Sequence, residues 1–287
     1  MSAAIFTHVA AARERLVRAG LSSTSADIDA ELLAREILSW DRAQYLARRN
    51  EGAPEGFAAR FDALLSRREV REPVAQIIGR REFWGRAFAV TRDVLTPRPE
   101  TELIVEAALA LYAPATTGGL RIVDAGTGSG CLAVTLACEW PHASVVATDL
   151  SMSALRVAAT NAAHHGVGDR IQFLRTDLVS GVADPIDLIV SNPPYVPDAA
   201  RDALPRDVRD YEPAVALFGG SNGFQLIERL LDQAVDALRS GGRLLMEFGA
   251  GQDDRLRDIV SRRSRLRVDA IREDFQQIPR VAEITRT

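Results

Sequence analysis

Ile122-Val123-Asp124-Ala125-Gly126-Thr127-Gly128-Ser129-Gly130-Cys131 carries an apolar strand straight into a glycine-rich turn, and the apolar run Leu132–Leu136 follows as the start of a helix. A glycine turn between a strand and a helix allows a tight bend and lets a ligand approach the backbone closely. Working outward from it, short β-prone segments recur at Ile122–Asp124, Ser144–Asp149, Arg170–Leu174, Ile186–Ser191, Arg243–Phe248, Arg267–Ile271 and Arg280–Thr285. Helical patterns fit between most of them, which is the βαβ rhythm of a parallel sheet. The last two leave no room for a helix and are expected to pair antiparallel. The fold class is therefore α/β.

The glycines follow the spacing G-x-G-x-G with Cys131 next, not the G-x-G-x-x-G of dinucleotide binders, so a pyrophosphate cradle is disfavoured. Alone, such a turn is compatible with packing only. Asp149 sharpens it. This acid closes the next strand, where a carboxylate can grip both hydroxyls of a ribose; it can equally cap the helix that starts near Ser151. Asp177, after the third strand, is placed either to meet an adenine amino group or to cap. A glycine loop (Gly126, Thr127, Gly128, Ser129, Gly130) with a ribose-binding acid and no diphosphate cradle suits S-adenosylmethionine better than NAD.

The strongest chemical signal follows the fourth strand, as Asn192-Pro193-Pro194-Tyr195. Ligands of open α/β sheets bind beyond the carboxyl ends of the strands. Two consecutive prolines fix φ and remove backbone donors, so the Asn192 side chain and the Pro193 carbonyl are held rigidly. Such a pair can accept the two N–H bonds of a planar amide or aromatic amine and aim its nitrogen at an electrophilic methyl group, with Tyr195 stacked on the plane. A capped turn with a core tyrosine is the structural alternative. No general base is evident, and positioning can supply much of the rate for such a displacement. His164 and His165 are adjacent near a helix end and are expected to be solvated; no metal constellation is present.

Residues 1–78 read as all helix: a first helix with Ile5, Val9, Ala12 and Leu16 on one face, a second carrying Leu32, Leu33, Ile37 and Trp40, and a third after Pro54 with Phe57, Phe61, Leu64 and Leu65. This region has no polar constellation of its own and is either a packing appendage or a partner-recognition module. Residues 79–98 alternate about Gly85 and suggest a β-hairpin linking it to the domain at 99–287.

All 35 basic side chains of the 287-residue chain are arginines. Mechanisms that need an amine, such as a Schiff-base lysine or a P-loop kinase, are excluded. The net charge of −4 is a poor match to nucleic acid. The two cysteines, Cys131 and Cys138, lie in an apolar run and form no disulfide framework, which fits a reducing cytoplasm. No apolar stretch reaches the ~18 residues of a membrane span.

These residues carry a resemblance over nearly the whole length. The chain resembles the glutamine-N5 methyltransferases of peptide-chain release factors (the PrmC/HemK type) in Glu72-Pro73-Val74-Ala75, Arg81-Glu82-Phe83-Trp84-Gly85, Pro97-Arg98-Pro99-Glu100-Thr101-Glu102, the glycine loop, Asn192 to Tyr195, Glu212-Pro213, Leu217-Phe218-Gly219-Gly220 and Met246-Glu247-Phe248-Gly249. The Asn-Pro-Pro-Tyr element alone is shared with adenine-N6 methyltransferases and fixes only the nucleophile type. The resemblance implies a class I methyltransferase with a seven-stranded Rossmann-like sheet and a small all-α N-terminal domain. It implies transfer from S-adenosylmethionine, leaving S-adenosylhomocysteine, to the glutamine of a Gly-Gly-Gln loop in class 1 release factors, in the cytoplasm, without stable nucleic-acid or membrane binding. Gly126, Thr127, Gly128, Ser129, Gly130, Asp149, Asp177, Leu178 and Asn192 are then the cofactor-binding residues. Asn192, Pro193, Pro194 and Tyr195 hold the substrate, with Asn192, Pro193 and Tyr195 in the catalytic role and no metal. The rival readings are the same chemistry on a ribosomal-protein glutamine, adenine-N6 methylation, and a binding module without catalysis. Three residues depart from the family pattern: Leu178 stands where an aromatic is frequent, Asn222 where Asp is common, and Gln277 where Gly is frequent.

Overall fold

A computed structural model describes residues 3–112, 119–183 and 185–287. The chain divides into two compact units, one reaching to Gly79 and taking in Pro205–Tyr211, the other formed by Arg80–Leu204 and Glu212–Thr287.

The first unit contains α1 (Ile5–Arg18), α2 (Ser23–Leu38), α3 (Arg42–Arg48), α4 (Phe57–Glu69) and α5 (Val74–Ile78). Ile5, Val9, Ala12 and Leu16 are the buried stripe of α1, as their spacing requires. Ser22 caps α2 by accepting from the Ser25 amide. The second helix stops at Leu38, with Ser39 in the left-handed region, so Trp40 lies beyond it. A separate helix α3 then starts on a capping box, Asp41 with Gln44.

The second unit opens with the hairpin β1 (Arg80–Phe83) and β2 (Arg86–Ala89), turned at Trp84 and Gly85, both at positive φ. Glu102 accepts the Trp84 amide at 2.7 Å and holds that turn. Phe83 and Phe88 are buried among residues of α6 (Glu102–Leu111), of β3 (Arg121–Ala125) and of α7 (Cys131–Glu139), so the hairpin packs on this unit's core. β4 (Ser144–Asp149), α8 (Met152–His164), β5 (Ile171–Arg175) and β6 (Ile186–Ser191) follow.

The chain then contributes α9 (Arg206–Arg209) to the helical unit, where buried Arg68 pairs with Asp29 at 2.6 Å and with Asp207 at 3.5 Å. Gln76 donates to the Tyr211 carbonyl in the same place. The segment Pro205–Tyr211, read from sequence as part of the larger domain, is thus fastened to the helices by charge pairing that no local pattern announces. α10 (Gln225–Ala237), β7 (Leu238–Glu247), α11 (Asp253–Ser261), β8 (Leu266–Glu273) and β9 (Pro279–Arg286) complete the second unit.

All seven expected strands form one sheet in the order β5-β4-β3-β6-β7-β9-β8. β9 runs antiparallel to both β7 and β8, and the other pairings are parallel. One apolar cluster, with α6 and α7, includes Ile122, Leu188 and Val190; a second, with α10 and α11, includes Val123, Ile189 and Met246. Alternation along each strand therefore covers both faces. Strand order reverses between β3 and β6, which makes the gap beyond their carboxyl ends the topological switch point.

Candidate active site

The loop after β3 is held by backbone and side-chain bonds together. The amides of Gly126 and Thr127 both donate to the Thr148 carbonyl at the end of β4, at 2.9 and 2.8 Å. Gly126, Gly128 and Gly130 all sit at positive φ, where a side chain is strained. A Cβ on Gly130 would stand 3.0 Å from that of Ala158, so here the glycine also permits close helix packing.

Asp149 is bonded on both sides, to the glycine loop and to the start of α8. Its Oδ2 accepts the Gly128 amide at 3.0 Å and its Oδ1 accepts the Ser151 amide at 2.8 Å. Burial raises its pKa, and the amides of Ser151 and Gly128 oppose that shift. A carboxylate offers about four lone-pair positions, so capacity remains for a ligand hydroxyl.

Asn192, Pro193, Pro194 and Tyr195 leave β6 on the other side of the switch point. Asn192 donates from Nδ2 to Thr101 Oγ1 at 3.0 Å. Tyr195 donates from its hydroxyl to Glu247 Oε1 at 3.2 Å, and Thr101 donates to Glu247 Oε2 at 2.6 Å. Burial and the adjacent Glu247 push the Tyr195 phenol up, so it stays protonated and is no base. The Gln252 amide donates to the Tyr195 carbonyl, fixing the segment's far end.

One cleft collects these groups. Gly126, Thr127, Gly128, Ser129, Asp149, Asp177, Leu178, Asn192 and Pro194 all line it. Asp177 pairs with Arg229 at 3.2 Å, and Leu178 is buried at positive φ. Gly130 is the N-cap of α7; Gly130, Pro193 and Tyr195 are not among the residues that line the cleft, and Pro193 is buried. His165, expected to be solvated, donates a ring N–H to the Ala87 carbonyl at 2.8 Å. Among the described residues no group of three or more His, Cys, Asp or Glu is placed to hold a metal ion.

Three side chains of the site had no assigned role in the sequence reading. Asp124, fully buried at the end of β3, accepts from Thr127 Oγ1 at 2.6 Å and from the Ala133 amide at 3.0 Å, tying the loop to α7. Thr101 and Glu247 sit inside motifs that were recognised, but their partners are remote in sequence. Burial pushes both the Asp124 and the Glu247 carboxyl up to about 7.

That shift fixes the sign of a pH effect. A carboxyl raised above its unfolded value of 4.5 binds more protons in the folded chain, so the contribution of Glu247 to stability is greatest at low pH and declines as pH rises toward about 7. Glu247→Gln removes this titration. Thermal melts across pH should show wild type losing ground to Glu247→Gln between about 4.5 and 7, then keeping a constant gap. A gap that does not change across that window would place the Glu247 value near that of an exposed glutamate.

Residues 8–79 match the family described as PrmC N-terminal domain, and residues 105–205 match the methyltransferase small domain. A release factor glutamine methyltransferase of Cereibacter sphaeroides is 43% identical over 261 residues, covering 91% of this chain and 91% of its own. The chain belongs to the release factor glutamine methyltransferase family. Another member, from Nitratidesulfovibrio vulgaris, is 41% identical over 243 residues, covering 84% of this chain and 81% of its own. A solved methyltransferase from Pyrococcus furiosus superposes with a TM-score of 0.52 at 19% identity, covering 78% of this chain and 96% of that one, a likeness of fold. In this member of the release factor glutamine methyltransferase family, Asn192 and Pro194 line the same cleft as the glycine loop.

Proposed function

We propose that this protein transfers a methyl group from S-adenosylmethionine to the side-chain amide nitrogen, N5, of the glutamine in the Gly-Gly-Gln loop of class 1 peptide-chain release factors, in the cytoplasm. The observation that carries the reading is that the glycine loop and Asn192 open onto one cleft at the switch point of the sheet. The residues fit the cofactor: a Cβ at Gly126 or Gly128 would meet nothing within 4 Å, so the loop backbone there is open to a ligand, with the Asp149 carboxylate bonded beside it. Gly126 to Gly130 and Asp149 bind it, and Asp177 and Leu178 border its adenine. S-adenosylmethionine, when bound, supplies an activated sulfonium methyl.

The chain's own part is orientation. Asn192 Oδ1 and the Pro193 carbonyl accept the two N–H bonds of the glutamine amide, Pro194 stiffens the segment, and Tyr195 covers the amide plane. The proton leaves after transfer, so no base is needed. The test is intact-mass analysis of purified release factor after incubation with enzyme and S-adenosylmethionine. A single methyl increment is expected, mapped to the Gly-Gly-Gln glutamine; no increment, or one mapped elsewhere, overturns the reading.

Nucleic acid is disfavoured as the acceptor by charge pairing. The densest basic run is neutralised residue by residue: Arg262 with Asp258, Arg263 with Asp232, Arg265 with Asp236 and Arg267 with Asp269. Phosphate contacts dominate such affinity and need free cations.

Replacing Asp149 with Ala is expected to weaken S-adenosylmethionine binding. A hydrogen bond to a charged group contributes about 1.5–3 kcal/mol, so affinity should fall roughly 10- to 100-fold. Calorimetry on a folded variant that retains wild-type affinity would take Asp149 out of the ribose role.

The helical unit is assigned to the body of the release factor. A glutamine amide is common on every protein surface, so selectivity needs contacts beyond the pocket. This unit leaves Phe6, Ile28, Leu46 and Val70 exposed. Phe6→Ser with Leu46→Ser should lower kcat/KM about tenfold or more for intact release factor, as losing interface anchors does. A short Gly-Gly-Gln peptide should be methylated as before. Equal effects on both substrates would leave the unit a packing element.

A further inference from the structure

Glu247 closes β7 with only 2% of its surface exposed, and its two oxygens receive two hydroxyls, Thr101 at 2.6 Å and Tyr195 at 3.2 Å. Once ionised, at mildly alkaline pH, the carboxylate only accepts hydrogen bonds, so both hydroxyls donate to it. Thr101 has one proton, and Glu247 takes it. What Thr101 Oγ1 offers on its other side is a lone pair, which only a donor can use. The Asn192 atom 3.0 Å away is therefore the NH₂ group. An Asn side chain turned over has nearly the same shape, so packing alone does not choose between its two orientations. The chain of bonds from Glu247 through Thr101 does.

We infer that Thr101 and Glu247 are positioning residues that lock the Asn192 carboxamide with its oxygen available to the substrate, so that the site selects an N–H-bearing carboxamide and rejects the corresponding carboxylate. The inference rests on the reading of Asn192 as the residue that holds the acceptor amide. With its NH₂ committed to Thr101, Asn192 meets a glutamine amide donor-to-acceptor. A glutamate carboxylate in the same place sets lone pairs against lone pairs. Such acceptor–acceptor opposition in a buried site is how a hydrogen-bonding pocket discriminates between near-isosteres. Tyr195, tethered to the same carboxylate, keeps its ring in register with the amide, so one buried charge sets both ends of the Asn-Pro-Pro-Tyr segment.

The experiment uses the full chain at mildly alkaline pH with Thr101→Val, which keeps shape and removes the hydroxyl, and Thr101→Ser, which keeps the hydroxyl. Thr101→Val is expected to bind S-adenosylmethionine as wild type does and to lose about 10- to 100-fold in kcat, the range for a hydrogen bond in a charged chain. Thr101→Ser should recover activity to within about threefold, because the bond returns. A Gly-Gly-Glu peptide should inhibit wild type poorly and Thr101→Val about tenfold better or more, since the freed Asn192 can then turn its NH₂ outward. Should Val crowd the cleft and disturb cofactor binding, Thr101→Ala carries the same comparison. Full activity in Thr101→Val, a serine variant as damaged as the valine one, or unchanged discrimination against the glutamate peptide would each overturn the inference. Asn192→Ala separates the two levels: if it keeps full turnover, the underlying reading of the site fails. If it is inactive while Thr101→Val is not, only the locking role fails.

Discussion

Replacing Asn192 with Ala should lower kcat by about 10²–10³-fold while leaving S-adenosylmethionine affinity near wild type. The size follows from where the side chain stands. Asn192 leaves β6 at the switch point, is followed by two prolines, and has its nitrogen tied to Thr101. It is thus a preorganised polar group that needs no rearrangement when the acceptor arrives, the kind whose loss is felt at the reacting centre more than in ground-state binding. The glycine loop across the cleft is bonded to β4 and to Asp149, not to Asn192, so the two effects should separate. Single-turnover kinetics alongside calorimetry makes the measurement. A variant with more than half of wild-type turnover would make Asn192 a purely structural residue. A variant with lost cofactor affinity would assign it to the cofactor instead.

The sheet was legible because each strand is a short apolar run with its own punctuation, and the absence of a helix between β8 and β9 already implied their antiparallel pairing. The glycine loop and Asn-Pro-Pro-Tyr were legible for a related reason: their conformations depend on residues adjacent in sequence, through φ freedom in one case and φ restriction in the other. Gln277 belongs to the same class. It sits at φ 61°, in the left-handed region where a glycine, the residue expected there from the resemblance, is unstrained. Asn222 still closes a local turn ahead of α10, its Oδ1 accepting the Phe224 amide at 2.9 Å. What could not be read were pairings across long separations. Thr101 meets both Asn192 and Glu247 only after the sheet assembles, and Arg68 meets Asp207 only after the chain has returned to the helices. A local pattern carries no record of such partners. α3 was missed for a different reason: its Asp41–Gln44 capping box is a local signal, but seven residues give too short a period to count.

Gly219→Ala should cut kcat/KM by roughly 10²-fold, although Gly219 touches neither cofactor nor acceptor in the proposed mechanism. Its φ is not in the left-handed region, so alanine brings no backbone strain of its own, and the effect is one of space. An added Cβ would stand 2.3 Å from the Pro194 carbonyl oxygen and 2.7 Å from that of Gly223, both backbone atoms with no flexible side chain to move aside. The two strands of loop are also bonded to each other: the Gly219 amide donates to the Val196 carbonyl at 2.9 Å, and the Val196 amide donates to the Leu217 carbonyl at 3.0 Å. The methyl group must therefore push Pro194 and carry Asn192 and Tyr195 with it. Displacing a positioning group by about 1 Å is enough to cost on the order of 10²-fold in rate. Overpacking of this kind destabilises by about 1–3 kcal/mol, so melting of the variant has to be followed separately. Gly126→Ala is the control with the opposite character: φ is 75° but nothing lies within 4 Å of the new Cβ, so strain is introduced without a clash on the Asn-Pro-Pro-Tyr segment. Gly126→Ala should weaken cofactor binding, and Gly219→Ala should spare it while damaging turnover of bound acceptor. If Gly219→Ala instead behaves like wild type in kcat/KM, the segment tolerates movement, and rigid positioning is not the source of the rate.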